Sequence, residues 1–152
     1  MPMALAQLSL KGRALRLLSM REHSRVELER KLAAHSDGPE QLRKVLDELQ
    51  AKDFLSDERF VESVLNRRSP KLGAGRIRQE LHGKGLDSEL VGAALDSLKG
   101  TEVERAREVW KRKFDAPPQD AAERGKQARF LAARGFGGEV IRRVLAGPGD
   151  ED

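Results

Sequence analysis

Three histidines, no cysteine and no tyrosine leave this chain few groups with which to do covalent or metal chemistry. His23 and His35 fall near predicted loops and His82 on a charged helix. None has a second ligand at metal-binding spacing, and no nucleophile sits in a recognisable motif with a base. All three are read as surface histidines, and the expectation is a non-enzyme with no cofactor and no metal. Gly73-Ala-Gly75 ahead of a helix has the look of a phosphate-binding loop. However, no strand precedes it, position 78 is Arg rather than Gly, and no Gly-Lys-Ser/Thr follows. The glycines are read instead as a flexible start to the helix that lets its Arg76/Arg78 face approach a partner. The unpaired N–H groups of that helix start could receive a phosphate or a carboxylate.

What remains is charge. Lys and Arg number 29 against 25 Asp and Glu, a net +4, but the distribution is uneven. Residues 67–84 hold Arg67, Arg68, Lys71, Arg76, Arg78 and Lys84 against Glu80, and residues 105–114 hold five cations against Glu108. Patches of this kind suit a polyanion or an acidic protein groove, and the plain alternative is a solvated helix face. The contact candidates are Arg67, Arg68, Arg76, Arg78 and Lys84, then Lys111, Arg112 and Arg134.

The elements that must position these cations are helices. Leu42, Val45, Leu46 and Leu49 stand at i, i+3, i+4 and i+7, on one helical face. Val91, Ala94, Leu95 and Leu98 repeat the spacing, and Ile141, Val144 and Leu145 shorten it. No run alternates at period 2, so no sheet is expected. Laid on itself at an offset of 49 or 50 residues, the chain brings Leu32, Leu81 and Leu131 into coincidence. Leu28 then falls on Ile77, and Lys84-Gly85-Leu86 on Arg134-Gly135-Phe136. At an offset of 46, Ala14, Phe60 and Ala106 align, with Leu18, Val64 and Trp110 one turn later.

Helix boundaries have their own chemistry. Ser24-x-x-Glu27 and Thr101-x-x-Glu104 read as capping boxes, Ser56 as an N-cap, Pro39 as a first helical residue, and Gly85 and Gly135 as C-caps. Pro117-Pro118 closes the seventh helix. The predicted helices are 8–21, 24–35, 39–52, 57–68, 74–84, 88–99, 101–114, 119–134 and 138–146. Phe54 to Phe60 reads as a hydrophobic staple with inter-unit packing. Trp110, Phe114, Phe130 and Phe136 read as core in preference to a base-stacking platform.

The expected fold is therefore all-α, an elongated, curved array of three tandem three-helix repeats at 8–52, 53–99 and 100–146, with an acidic tail at 147–152. Hydrophobic residues at 38% and charged residues at 36% suit thin helix-on-helix layers. The first ten residues lack the pattern of a signal peptide, and no window approaches the roughly 18–20 apolar residues of a membrane span. A cytoplasmic monomer without membrane association is expected.

Four segments in order carry a family resemblance. They are Leu17-Leu18-Ser19-x-Arg21-Glu22-His23-Ser24-x-x-Glu27-Leu28-x-x-Lys31-Leu32, Phe54-Leu55-Ser56-Asp57-Glu58-Arg59-Phe60, Gly75-Arg76-Ile77-Arg78-Gln79-Glu80-Leu81-x-x-Lys84-Gly85, and Arg129-Phe130-Leu131-x-x-Arg134-Gly135-Phe136. Together they resemble the RecX family of bacterial recombination regulators, over about residues 11 to 146. The resemblance implies three tandem three-helix repeats in an elongated monomer. It also implies a mainly negative regulator that lies in the groove of the RecA filament on DNA, within DNA repair, recombination and the SOS response. Inhibition of filament extension, ATP hydrolysis and strand exchange follows from it, with single- or double-stranded DNA as a further partner. The alternative is a nonspecific basic DNA-binding protein acting without RecA.

Overall fold

A computed structural model describes residues 8–147, so the acidic residues Asp150-Glu151-Asp152 lie outside the described part. The described residues form nine α-helices and no strand: α1 (Leu10–Met20), α2 (Arg25–Leu32), α3 (Pro39–Ala51), α4 (Asp57–Arg68), α5 (Ala74–His82), α6 (Ser88–Asp96), α7 (Glu102–Lys113), α8 (Ala121–Ala133) and α9 (Gly138–Ala146). Short 3₁₀ turns follow α2 (Ala33–His35) and precede α7 (Lys99–Thr101). None of these helices is long and apolar enough to cross a membrane. Two compact units result, residues 8–63 with the 83–87 turn, and residues 64–82 with 88–147. Helix α4 belongs to both, so this division runs across the repeat boundaries expected from the sequence.

In the first unit the Leu42/Leu46/Leu49 stripe of α3 is buried against Leu10, Ala14, Leu28, Leu32 and Leu55. Each fully buried leucine contributes about 1.5–3 kcal/mol, which offsets the cost of ordering three short helices. Helix starts are defined by side chains that accept from orphan N–H groups. Ser9 Oγ accepts from Gly12 N at 3.0 Å, and Ser24 with Glu27 forms a complete capping box. Ser56 Oγ accepts from Arg59 N at 3.1 Å, and Pro39 opens α3. Leu55 and Phe60, on either side of that N-cap, are both buried. Phe54 is instead 51% exposed and takes no part in the staple.

The second unit centres on α7, α8 and α9. Ala106, Val109, Leu131, Phe136, Ile141, Val144 and Leu145 form its core, with Trp110 and Phe130 partly buried beside them. Ile77 and Leu81 of α5 and Val91 and Leu95 of α6 are also buried. Gln127 stands in repeat register with Leu28 and Ile77 and is buried like them. Its amide is satisfied by Trp110 Nε1, which donates at 2.8 Å, and by donating to Ala116 O and Glu123. The Thr101 capping box does not form. Thr101 ends a 3₁₀ turn, its hydroxyl donates back to Leu98 O, and Arg105 Nε donates to the hydroxyl oxygen. Gly85 and Gly135 do adopt positive φ, 68° and 93°, as C-caps require.

Candidate functional site

The start of α5, an anion site by sequence, is filled by the protein itself. Gly73 N donates to Arg134 O at 2.7 Å and Gly75 N to Gly135 O at 3.0 Å, so the orphan donors of α5 meet the orphan carbonyls at the end of α8. Ala74 N donates to Glu102 Oε2 at 2.9 Å, and Arg76 reaches Ala133 O at 2.7 Å. The helix start does receive a carboxylate, but it is that of Glu102. The glycines serve contact between backbones rather than flexibility, because a Cβ at Gly73 would lie 2.5 Å from the Gly135 carbonyl.

A related joint is built within the first unit at the matching repeat positions. Ser24 Oγ donates to Lys84 O at 3.0 Å, as Gly73 N does to Arg134 O, and Arg25 N donates to Asp57 Oδ1 at 2.9 Å, as Ala74 N does to Glu102. Asp57 and Glu102 both stand in the first turn of their helices. In each joint an acid at one helix start caps the start of an earlier helix. Arg105, counted by sequence among the basic patch of 105–114, belongs to this machinery. It donates to Ser69 O and Leu72 O at 2.8 Å each and pairs with Glu102. Sequence reasoning missed the roles of Asp57, Glu102 and Arg105; the one signal for the two acids was their place in the first turn of a helix.

Lys84 sits in the first unit beside a buried carboxylate. Glu27 is 6% exposed, and Arg21 (2.9 Å), Lys84 (3.1 Å) and Ser24 N (3.1 Å) all donate to it. Burial pushes its pKa up, but the hydrogen bonds from Arg21, Ser24 and Lys84 outweigh that and hold it at about 2. His23 is 2% exposed, which corrects the expectation of a surface histidine. Its Nδ1 lies 3.0 Å from Arg21 O and its Nε2 3.1 Å from Lys31 Nζ, so the neutral ring donates at one end and accepts at the other. Burial holds its pKa below the ordinary value, against the opposing hydrogen bond to Arg21.

Both groups bind protons more readily in the unfolded chain, so stability is full at neutral pH and declines with acidification. His23 begins the loss below the ordinary histidine pKa. Glu27 adds about 3 kcal/mol as pH falls from its ordinary 4.5 towards about 2. Urea unfolding across that range is expected to show the decline, and Glu27→Gln to flatten its lower part.

The other candidate cations of the second unit fall into different settings. Arg67 and Arg68 share Glu80, at 3.3 and 3.0 Å. Arg78 is exposed and has no side-chain partner among the described residues. Lys111 is exposed, 3.6 Å from Glu108. Arg112 and Arg134 come together with Lys71 and Lys113 in an open groove of about 330 Å³ floored by Val109 and Phe130. The Arg134 guanidinium lies 3.6 Å from the centre of the Phe130 ring, and Lys113 Nζ lies 5.9 Å from it. Phe114 meets the same ring edge-on at 5.1 Å. Four cations surround one half-buried aromatic, and no carboxylate lines the groove. Such a surface suits an anionic partner with a flat or apolar group. Two of the candidates, Arg112 and Arg134, share it; the others do not line it. Lys71 and Lys113 were not among the chosen contacts.

Family comparison agrees with this architecture. The family model described as RecX, third three-helix domain, matches residues 101–145, and that described as RecX, second three-helix domain, matches residues 56–95. A Regulatory protein RecX from Leptothrix cholodnii is 55% identical over 139 residues, covering 91% of this chain and 88% of that protein. One from Ralstonia pickettii is 46% identical over 147 residues, covering 97% and 92%. The crystal structure of RecX from Lactobacillus salivarius is similar in fold, with a TM-score of 0.77 at 21% identity over 90% of this chain and 92% of that one. With relatives this similar along nearly its whole length, the chain belongs to the RecX family of regulatory proteins.

Proposed function

We propose that this chain is a modulator, mainly negative, of the RecA recombinase, docking in the groove of the RecA–DNA filament and opposing its extension, ATP hydrolysis and strand exchange. Family membership supports the partner. The observation that carries the chemistry is the groove of Lys71, Arg112, Lys113 and Arg134 around Phe130, where positive charge is unopposed by any lining carboxylate. Arg67, Arg68, Arg76, Arg78, Lys84 and Lys111 remain proposed contacts, with unequal freedom. Arg78 and Arg112 lack side-chain partners among the described residues, whereas Arg76 and Lys84 hold protein groups. The proposed role is that of a monomeric binding protein in the cytoplasm, with no catalysis and no cofactor, in three repeats at 8–52, 53–99 and 100–146. Several weak contacts on one chain gain avidity against a filament of identical protomers.

The second reading, DNA binding without RecA, is favoured by the same four cations, which can neutralise phosphates with no lining carboxylate opposing them. Co-sedimentation with preformed RecA filaments, with and without DNA and at two salt concentrations, separates the two. The RecA reading expects sedimentation with filaments under salt that releases the chain from naked DNA. Binding to naked DNA alone, falling steeply with salt, overturns it. Arg112→Glu with Lys113→Glu is expected to weaken filament binding about tenfold or more, with helicity unchanged. Arg78→Glu is the cleaner probe on α5, because reversing Arg76 also breaks the Ala133 bond.

A further inference from the structure

The first unit carries a second positive groove of different chemistry. Arg13, Arg16, Leu17 and Met20 stand at i, i+3, i+4 and i+7, forming one stripe along α1. Facing them are Lys31 and Leu32 at the end of α2 and His35 of the 3₁₀ turn, and together these seven residues line an open groove of about 390 Å³. No carboxylate lines it, and α1 itself contains none. Among the described residues the Arg13 and Arg16 side chains have no ion-pair or hydrogen-bond partner. Lys31 has no carboxylate partner among the described residues, and its ammonium donates to the neutral His23 ring. Met20 is 74% exposed, against 51% for Phe54, the other exposed large hydrophobic among the described residues.

We propose that this groove is a docking surface for an acidic segment of a partner protein, one that sets carboxylates against Arg13, Arg16 and Lys31 and an aliphatic side chain against Met20 and Leu17. Unpaired guanidiniums on adjacent turns of one helix repel each other, and carboxylates that accept from both remove that repulsion and form charge-assisted hydrogen bonds. An exposed thioether beside leucine adapts to aliphatic side chains of varied shape. Nucleic acid fits less well. A phosphate backbone leaves Met20 and Leu17 uncovered, and the one aromatic ring lining the groove is the small His35 imidazole. The inference deepens the RecA reading by giving the chemistry of one contact, and rests on that reading only for the filament used as target.

Two experiments on the full chain test it. In the first, p-benzoylphenylalanine replaces Met20, the protein is irradiated on RecA–single-stranded DNA filaments, and the adduct is sequenced by mass spectrometry. The expected adduct joins position 20 to a stretch of the partner polypeptide with several carboxylates close by. An adduct to DNA, to a second copy of this chain or to a stretch without carboxylates overturns the proposal. In the second, a fluorescent Glu-Glu-Leu-Leu-Glu-Glu peptide and an oligothymidylate of equal charge are titrated against the wild type and against Arg13→Glu with Arg16→Glu. The peptide is expected to bind better than the oligonucleotide and to lose about tenfold or more in the double variant, whose circular dichroism stays unchanged. No peptide binding, or equal binding by the double variant, overturns the proposal. Because this assay contains no RecA, peptide binding without filament binding sinks the proposed function and leaves the surface standing.

Discussion

Gly135→Ala is expected to lower the stability of the chain by about 3–5 kcal/mol, a large share of what a domain of this size has to lose. Two independent penalties combine at this residue. Its φ of 93° lies where a Cβ is strained, and the added methyl would sit 2.4 Å from the backbone nitrogen of Arg76. Backbone cannot rotate aside as a side chain can, so α5 and the end of α8 must separate. The hydrogen bonds from Gly73 and Gly75 are then lost with the contact. Gly73→Ala carries the collision alone, 2.5 Å from Gly135 carbonyl atoms, and is expected to approach the same loss. Gly92→Ala is the contrasting case. It lies within α6 with open space around it, and gains about 0.5–1 kcal/mol from helix propensity. Urea midpoints for the three variants check the order, and a Gly135→Ala protein as stable as wild type would refute the account of the joint.

Arg105→Ala is expected to cost about 3 kcal/mol or more. The side chains of Arg105 and Glu102 are 13% and 11% exposed, and each holds backbone groups as well as the other. Removing the guanidinium leaves the carbonyls of Ser69 and Leu72 without this donor and the Glu102 carboxylate without its counter-charge. Glu102 still accepts from Ala74 N, so the buried charge is stranded rather than released. Arg105→Met with Glu102→Gln removes both charges while keeping volume and an acceptor for Ala74. That double variant is expected to be clearly more stable than Arg105→Met alone. Equal stabilities would mean that the arginine acts through packing and not through charge.

These two sites show where sequence reading stopped. Helical periodicity located the helices because burial of Leu42, Leu46 and Leu49, or of Ile141, Val144 and Leu145, needs only local spacing. Ser24, Ser56 and Pro39 were legible for the same reason, since a cap acts within four residues. Thr101 carried a similar local signal and failed. A 3₁₀ turn and Arg105 engage its hydroxyl first, and that competition is tertiary. His23 was misread because its partners are a backbone oxygen and a lysine eight residues away, and no spacing rule marks such a pair.

The candidate surface divides in the same way. Sequence by itself determined the all-helical class, the repeat register, the surplus of cations, the scarcity of catalytic groups and the family resemblance, because each is a property of residue types at short or regular spacing. Only tertiary structure decided which cations are available. Arg76, Lys84 and Arg105 look no different from Arg78 or Arg112 along the chain, yet folding gives the first three protein oxygens to hold. It gathers Lys71, Arg112, Lys113 and Arg134 around Phe130 from three separate stretches. A cation pairs with whatever acceptor folding brings within about 3 Å, and for Arg76, Lys84 and Arg105 residues more than thirty positions away supply such acceptors: Ala133, Glu27, and Ser69 with Leu72.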